Sequence, residues 1–255
     1  MNTGRTGYAY AQARLQARLG QSSNPADLDR AHAARDLAGF LAAMRATSLR
    51  RYTARLAASL APHDLERHLR GEWSALVDEV AHWQPAPWQP VIRWLRWLPY
   101  LPALQKLARD GRPPAWTRDD PVLGRVVAAE PALRPAVLDA SPLRPLRPAL
   151  LAQGDVAAAW LAHWRFLRPG EPTAGRALDD IVRAAVTLDT TLRDAPSGAG
   201  STAAQRTFAM RLLRVFRRHP LSPAAAVAYL GMEGLGLLEL RGGALRRAVL
   251  AAGAS

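Results

Sequence analysis

The sequence predicts an all-α fold, on three observations. Ala, Leu and Arg fill most windows of the chain, and all three favour helix. Apolar residues recur at spacings of three and four, the period of one helical face. Runs of Val, Ile, Thr and aromatics of the kind strands use are almost missing. With 255 residues, 49% of them hydrophobic and 22% charged, the chain is long enough to bury a substantial core in one large or two small domains.

Gly7 to Leu19 reads as the first helix, with Tyr8, Gln12, Leu15 and Leu19 on one stripe and Tyr10, Arg14 and Ala17 on its neighbour; Gly20 closes it. In "SSNPADL", Asn24 is placed as an N-cap, Pro25 at the first helical position and Asp27 in the first turn, where the helix dipole favours an anion. The next helix turns Leu28, Leu37, Phe40, Leu41 and Met44 to a core, with a break near Ala34. "TSLRRYTARLAASLAP" is a short helix ended by Pro62, and "PHDLERHLRGEWSALVDEVAHW" is a longer one with Leu65, Leu69, Trp73, Leu76 and Val80 on one face. Further helices are expected near Pro90 to Leu98 and from Pro102 to Asp110, closed by Gly111. Trp88, Trp94, Trp97 and Trp116 are read as interhelical core.

From Arg112 to Pro148 the prolines suggest a joint between lobes, so the chain is divided into an N-terminal helical lobe, 1–113, and a second helical region, 114–255. In the second region "PALLAQGDVAAAWLAHWRFLRP" and "TAGRALDDIVRAAVTLDTTLRDAP" read as one helix each, and "SGAGSTAAQ" as a small-residue loop. "QRTFAMRLLRVFRRHP" is amphipathic, Phe208, Leu212, Val215 and Phe216 on one side and Arg211, Arg214 and Arg218 on the other. The last segment, His219 to Ala252, is apolar nearly all round, which a helix tolerates when other helices surround it. Gly231, Gly234 and Gly236 would let those neighbours approach closely.

The formal charge is +13, yet of the 34 basic residues all but Lys106 are arginine, a bias that points to genome composition more than to a binding site. Nucleic acid is therefore not the expected partner, although Arg45, Arg50, Arg51 and Arg55 are candidates for phosphate contacts. With no cysteine, disulfides, thiol catalysis and thiolate metal sites are excluded. No signal-like segment opens the chain, and no run reaches the roughly 18–20 apolar residues a membrane span needs, so a cytoplasmic location is expected. Glu79 and His82 form one Glu-x-x-His element without the second copy a carboxylate-bridged metal site requires. His63 and His68 are spaced wrongly for a shared helical face, and no GxSxG, GxGxxG or GxxxxGK[ST] occurs. No catalytic residue, cofactor, metal or small-molecule substrate is expected.

The two ends of the chain carry a further signal. "GYAYAQARLQARLG" has Tyr8, Ala9, Tyr10, Ala13, Arg14, Arg18 and Leu19 in the places of a YAYxNARxRxxxSRLL-like stretch. "LAGFLAAMRATSLRRYTARLA" places Thr47 and Tyr52 at a Thr-x-Tyr-like turn. Near the C-terminus a Pro-Leu-Ser lead, Pro220, Leu221 and Ser222, is followed by Tyr229, Leu230, Glu233, Leu240 and Arg241. In that order these motifs resemble the central-stalk adaptor of V-type and archaeal A-type ATPases, the d subunit of the eukaryotic enzyme and its archaeal and bacterial counterpart. The resemblance covers the first 110 residues and the last 50. Gln12 stands for the family's Asn, Met232 for a Lys before Glu233, and Glu239 for the Asn before Leu240.

The resemblance implies helical-bundle lobes arranged as pseudo-repeats, here reduced from the family's three-lobed funnel. "LPALQKLARDG", Leu101 to Gly111, would be the first repeat-closing helix and "GLLELRGGALRR" the last. It implies a non-catalytic adaptor, peripheral on the cytoplasmic face of the membrane, whose partners are the central-stalk subunits and membrane ring of a rotary ion-transporting ATPase. The alternative is a stand-alone helical scaffold that binds another protein or, less readily, nucleic acid. Arg211, Arg214 and Arg218 are the candidate partner-binding residues. A buried Glu233 requires a cationic partner, and Arg14 or Arg18 is expected to supply it.

Overall fold

The computed structural model describes residues 3–21, 25–57, 59, 61–111, 114–194 and 199–252. It is all-α, with no strand among those residues. The helices are α1 (Thr3–Leu19), α2 (Pro25–His32), α3 (Leu37–Arg45), α4 (Arg50–Thr53), α5 (Pro62–Trp83), α6 (Gln89–Trp94) and α7 (Leu101–Asp110). There follow α8 (Leu123–Ala128), α9 (Arg134–Asp139), α10 (Arg147–Leu151), α11 (Val156–Phe166), α12 (Pro172–Asp194), α13 (Ala199–Arg218) and α14 (Pro223–Ala252). None is long and apolar enough to cross a membrane, among the described residues.

The chain forms two compact units, one of residues 1–92 with 169–255 and the other of residues 93–168. This differs from the division at 113/114, and the physical reason is α14. That helix packs on α1, α3 and α5 as well as on α12 and α13, so the C-terminus completes the unit that the N-terminus begins. Its first turns, Pro223 to Leu230, are buried all round, as an apolar helix requires. From Gly231 onward it is half-buried, with Leu238 exposed.

Within this unit the spacing of three and four along α5 places Leu65, Leu69, Trp73, Leu76 and Val80 in the core, as predicted. Phe40, Leu41 and Met44 of α3 are buried too, and the predicted break falls between His32 and Leu37, where Asp36 caps α3 by accepting from Gly39 N at 2.7 Å. Asn24, the N-cap assigned to α2, lies outside the described residues. The short helix expected through Pro62 is confined to Arg50–Thr53, and Pro62 instead opens α5, where its missing N–H has no intrahelical partner to lose.

The small-residue segment read as a loop is helical from Ala199 onward; its alanines favour helix. On α13 Leu212, Val215 and Phe216 are buried while Arg211, Arg214 and Arg218 are exposed, so the predicted amphipathic pattern holds.

The unit of residues 93–168 replaces the expected joint. Several of its prolines begin helices, Pro135 in the first turn of α9 and Pro148 in that of α10, while Pro99 lies within the 3-10 helix Leu95–Tyr100. Leu123, Val126, Leu138, Leu143 and Leu146 are buried. Helix α7 ends at Gly111 with φ 63°, the left-handed C-cap that glycine tolerates. The stretch from Pro148 to Pro169, read as one helix, is two. Gln105 of α7 holds the turn between them, donating to Gly154 O at 3.1 Å and accepting from Val156 N at 2.9 Å, and Asp155 caps α11. Trp94 donates its indole N–H to Trp160 O at 3.1 Å. The predicted tryptophan core is thus divided: Trp88 is buried in the first unit, Trp94 and Trp97 are buried in the second, and Trp116 there is half-buried.

Close approach explains the glycines of α14. A Cβ on Gly231 would lie 2.8 Å from Leu212 Cδ1, one on Gly236 2.9 Å from Leu49 Cδ2, and one on Gly243 2.7 Å from Cε2 of the fully buried Phe40. Gly242, one residue earlier, faces open space. Gly243→Ala is therefore expected to destabilise the protein by about 1–3 kcal/mol through overpacking, despite a gain of about 1 kcal/mol in helix propensity. Gly242→Ala should raise stability by up to about 1 kcal/mol. Urea unfolding of the two variants measures both.

Candidate functional site

Three stretches remote in sequence meet where α1, α4, α5 and α14 come together. The α1 stripe buries Ala11, Gln12 and Leu15, which brings Arg18, one turn after Leu15, to the edge of α5. There Arg18 Nη2 lies 2.5 Å from Glu79 Oε1, and Arg51 Nη2 lies 3.2 Å from Glu79 Oε2. One carboxylate thus binds two guanidinium groups, one on each oxygen. Burial works against the charge of Arg51, but Tyr52 and Glu79 beside it outweigh that cost and hold its pKa above the usual arginine value.

The next residue completes the arrangement. The Tyr52 hydroxyl donates to Glu233 Oε2 of α14. Burial first, and the Glu233 carboxylate second, push the Tyr52 phenol well above its ordinary range, so it remains a donor at any physiological pH. Tyr229, one turn before Glu233 on α14, is raised by the same two causes in the same order. The expected arginine partner for Glu233 is corrected: Arg18 is engaged by Glu79, and Arg14 is exposed with its guanidinium 5.2 Å from the Tyr10 ring. A phenol can meet this carboxylate because Glu233 is half-buried and needs no full counter-charge.

Around this cluster the matched turn is locally built. Thr47 Oγ1 donates to Met44 O at 2.7 Å and accepts from Leu49 N at 3.1 Å, and His68 Nε2 lies 3.1 Å from Tyr52 O. Leu221 of the Pro-Leu-Ser lead has φ 55°, an uncommon conformation for a leucine, and its N–H donates to Gln12 Oε1 at 3.2 Å. Gln12 is buried, so its amide ties the first helix to the turn before the last one. Glu239 lies 2.9 Å from His32 Nε2.

The other singled-out residues are placed elsewhere. Tyr8 is half-buried, and burial first and Glu171 second raise its phenol pKa; Glu171 also accepts from Trp88 Nε1 at 3.1 Å. Leu240 is buried, and Arg241 pairs with Glu66 of α5. Arg247 seals the far end of α14, donating to His32 O and Ala34 O at 2.7 Å each and lying 4.3 Å from the Phe40 ring centroid. Glu79 is the member that sequence reasoning missed. It was considered only with His82 as a metal element, while its signal was its place on α5 beside the buried stripe of Leu76 and Val80. Among the described residues no group of three His, Asp or Glu side chains is placed to hold a metal ion.

An open recess of about 630 Å3 adjoins the cluster, lined among others by Arg18, Thr47, Arg50, Arg51, Tyr229 and Glu233. Chemically the cluster is a lock: its charges are paired and its phenol is fixed as a donor. No protein-family model matches the chain, and no curated protein matches it significantly. Removing the central carboxylate by Glu79→Ala should cost about 1–2 kcal/mol, since two half-buried guanidinium groups lose their shared acceptor and solvent screens part of the loss. Asp110→Ala, at a solvent-exposed ion pair with Arg109, should leave the melting temperature unchanged.

Proposed function

We propose that the chain is a non-catalytic adaptor of the V/A-type rotary ATPase kind, in a shortened form, which seats the central rotor stalk on the membrane ring. One observation carries the reading. The residues behind the resemblance lie at opposite ends of the sequence, and Arg18, the Thr47–Tyr52 turn, Tyr229 and Glu233 nevertheless assemble into one cluster. Gln12 adds to it, because the substituted amide bonds to the Pro-Leu-Ser lead that the resemblance also includes.

The adaptor's task is mechanical, and it requires that load on one helix reach the others without local unfolding. Helix α14 supplies that continuity. It is anchored to α4 through Glu233, to α2 through Glu239 and to α5 through Arg241, and at its end to the α2–α3 turn through Arg247. In this reading the protein works at the cytoplasmic face of the membrane, held there by protein partners.

Affinity purification of the tagged full chain from mildly solubilised native membranes, with mass spectrometry of what co-purifies, tests the proposal. Stalk and ring subunits of a rotary ATPase recovered in fixed ratio are the expected result. A stable soluble partner in their absence would replace the adaptor with a helical scaffold of another assembly.

A further inference from the structure

Helix α13 carries no acidic residue, yet Arg206, Arg211, Arg214, Arg217 and Arg218 are all exposed on it. Among the described residues none of the five has an ion-pair or hydrogen-bond partner. What sets α13 apart is that five such arginines lie on one helix; on neighbouring α12 Arg183 pairs with Asp180 and Arg193 with Asp189, three and four residues apart.

At 100° per residue the five arginines share one arc with Met210 and Leu213. The opposite side, Leu212, Val215 and Phe216, is buried, and α13 packs against α12 and α14. From Arg206 to Arg218 the arc runs about 18 Å at the helical rise of about 1.5 Å per residue. Near its middle Met210 is 60% exposed, a large apolar side chain in a basic field. With Leu213, Arg214, Arg217 and Arg218 it lines a shallow concavity of about 340 Å3.

We propose that this face is a docking surface for an acidic protein segment that sets one apolar side chain against Met210 and Leu213 while its carboxylates meet the arginines. The proposal deepens the adaptor reading and rests on it for the existence of a protein partner. Charge complementarity selects an anionic occupant. The apolar centre ringed by arginines selects a segment with an apolar anchor, because a central contact gains most where the contacts around it keep water out. A lipid surface fits less well, because α13 is held by α12 and α14 and offers only Met210 and Leu213 for insertion. Nucleic acid would leave Met210 unused and finds no aromatic on the arc to stack on.

The chain has no cysteine, so Met210→Cys provides a unique attachment point for a benzophenone cross-linker. Val186→Cys on α12, also exposed, is the control. The tagged full-length variants are purified from native membranes after irradiation, and adducts are sequenced by mass spectrometry. An adduct from position 210, absent from position 186, on a peptide rich in Asp and Glu with an apolar residue at the cross-link is the expected result. Arg214→Glu with Arg217→Glu should lower its yield about tenfold or more, with an unchanged far-UV circular dichroism spectrum showing that the chain still folds.

Adducts to lipid or nucleic acid, an adduct insensitive to charge reversal, or none at position 210 would overturn the docking surface. If stalk and ring subunits co-purify in any of those cases, the adaptor reading survives alone. An acidic adduct on a protein outside a rotary ATPase would leave the docking surface standing and remove the adaptor.

Discussion

A carboxylate in the middle of an apolar helix is the constraint on which the larger unit depends. Glu233 is half-buried, between helical turns that are buried upstream and half-buried downstream, where a carboxylate left without a hydrogen-bond donor is destabilising. The Tyr52 hydroxyl meets that requirement from a helix of only four residues. Because Arg51 stands next to Tyr52 and reaches Glu79, and Glu79 reaches Arg18, one hydrogen bond and two ion pairs connect α14 to α4, α5 and α1 in series. The network is half-buried and not fully satisfied, since Arg51 Nη1 is buried without a hydrogen-bond partner among the described residues.

The same constraint shapes the topology. The C-terminal helix packs on α1, α3 and α5 as well as on α12 and α13, so the chain returns to where it began. Residues 93–168 form their own compact unit within that circuit, with a separate core of Leu, Val and Trp side chains. Apolar packing supplies the bulk of the attraction between α14 and its neighbours, while the glycines set how near they come. Gly231, Gly236 and Gly243 each face a side chain that a methyl group would displace. The polar lock adds register, since sliding α14 by one turn would part Glu233 from Tyr52 and Glu239 from His32 together.

Much of this was legible in the sequence where a local rule governs. The stripe of α5 from Leu65 to Val80, the glycine stop at Gly111, the two faces of α13 and the crowding at Gly231 and Gly236 follow from helical period and residue size, whereas Gly234 meets Trp73 at an ordinary 3.4 Å. Prolines between Arg112 and Pro148 misled because the same residue ends one helix and begins another, and composition alone does not say which. The partner of Glu233 was not legible for a different reason. Charge arithmetic points to arginine, of which the chain has a surplus, but the hydroxyl that meets it across the fold is Tyr52, 181 residues away, and it is the packing of α3 against both α4 and α14 that brings it there. Glu79 was hidden likewise, its two arginines lying 61 and 28 residues off.

The most direct measurement is a double-mutant cycle on Tyr52→Phe and Glu233→Gln, read by urea unfolding of the full chain. A coupling energy of about 1–3 kcal/mol between the two positions is the predicted result, in the range found for residues that share a hydrogen bond. Additivity within about 0.5 kcal/mol would mean that the two side chains do not act on each other. The series from α14 to α4, α5 and α1 would then be broken at its first link, leaving α14 to its apolar packing and to the contacts of Glu239, Arg241 and Arg247.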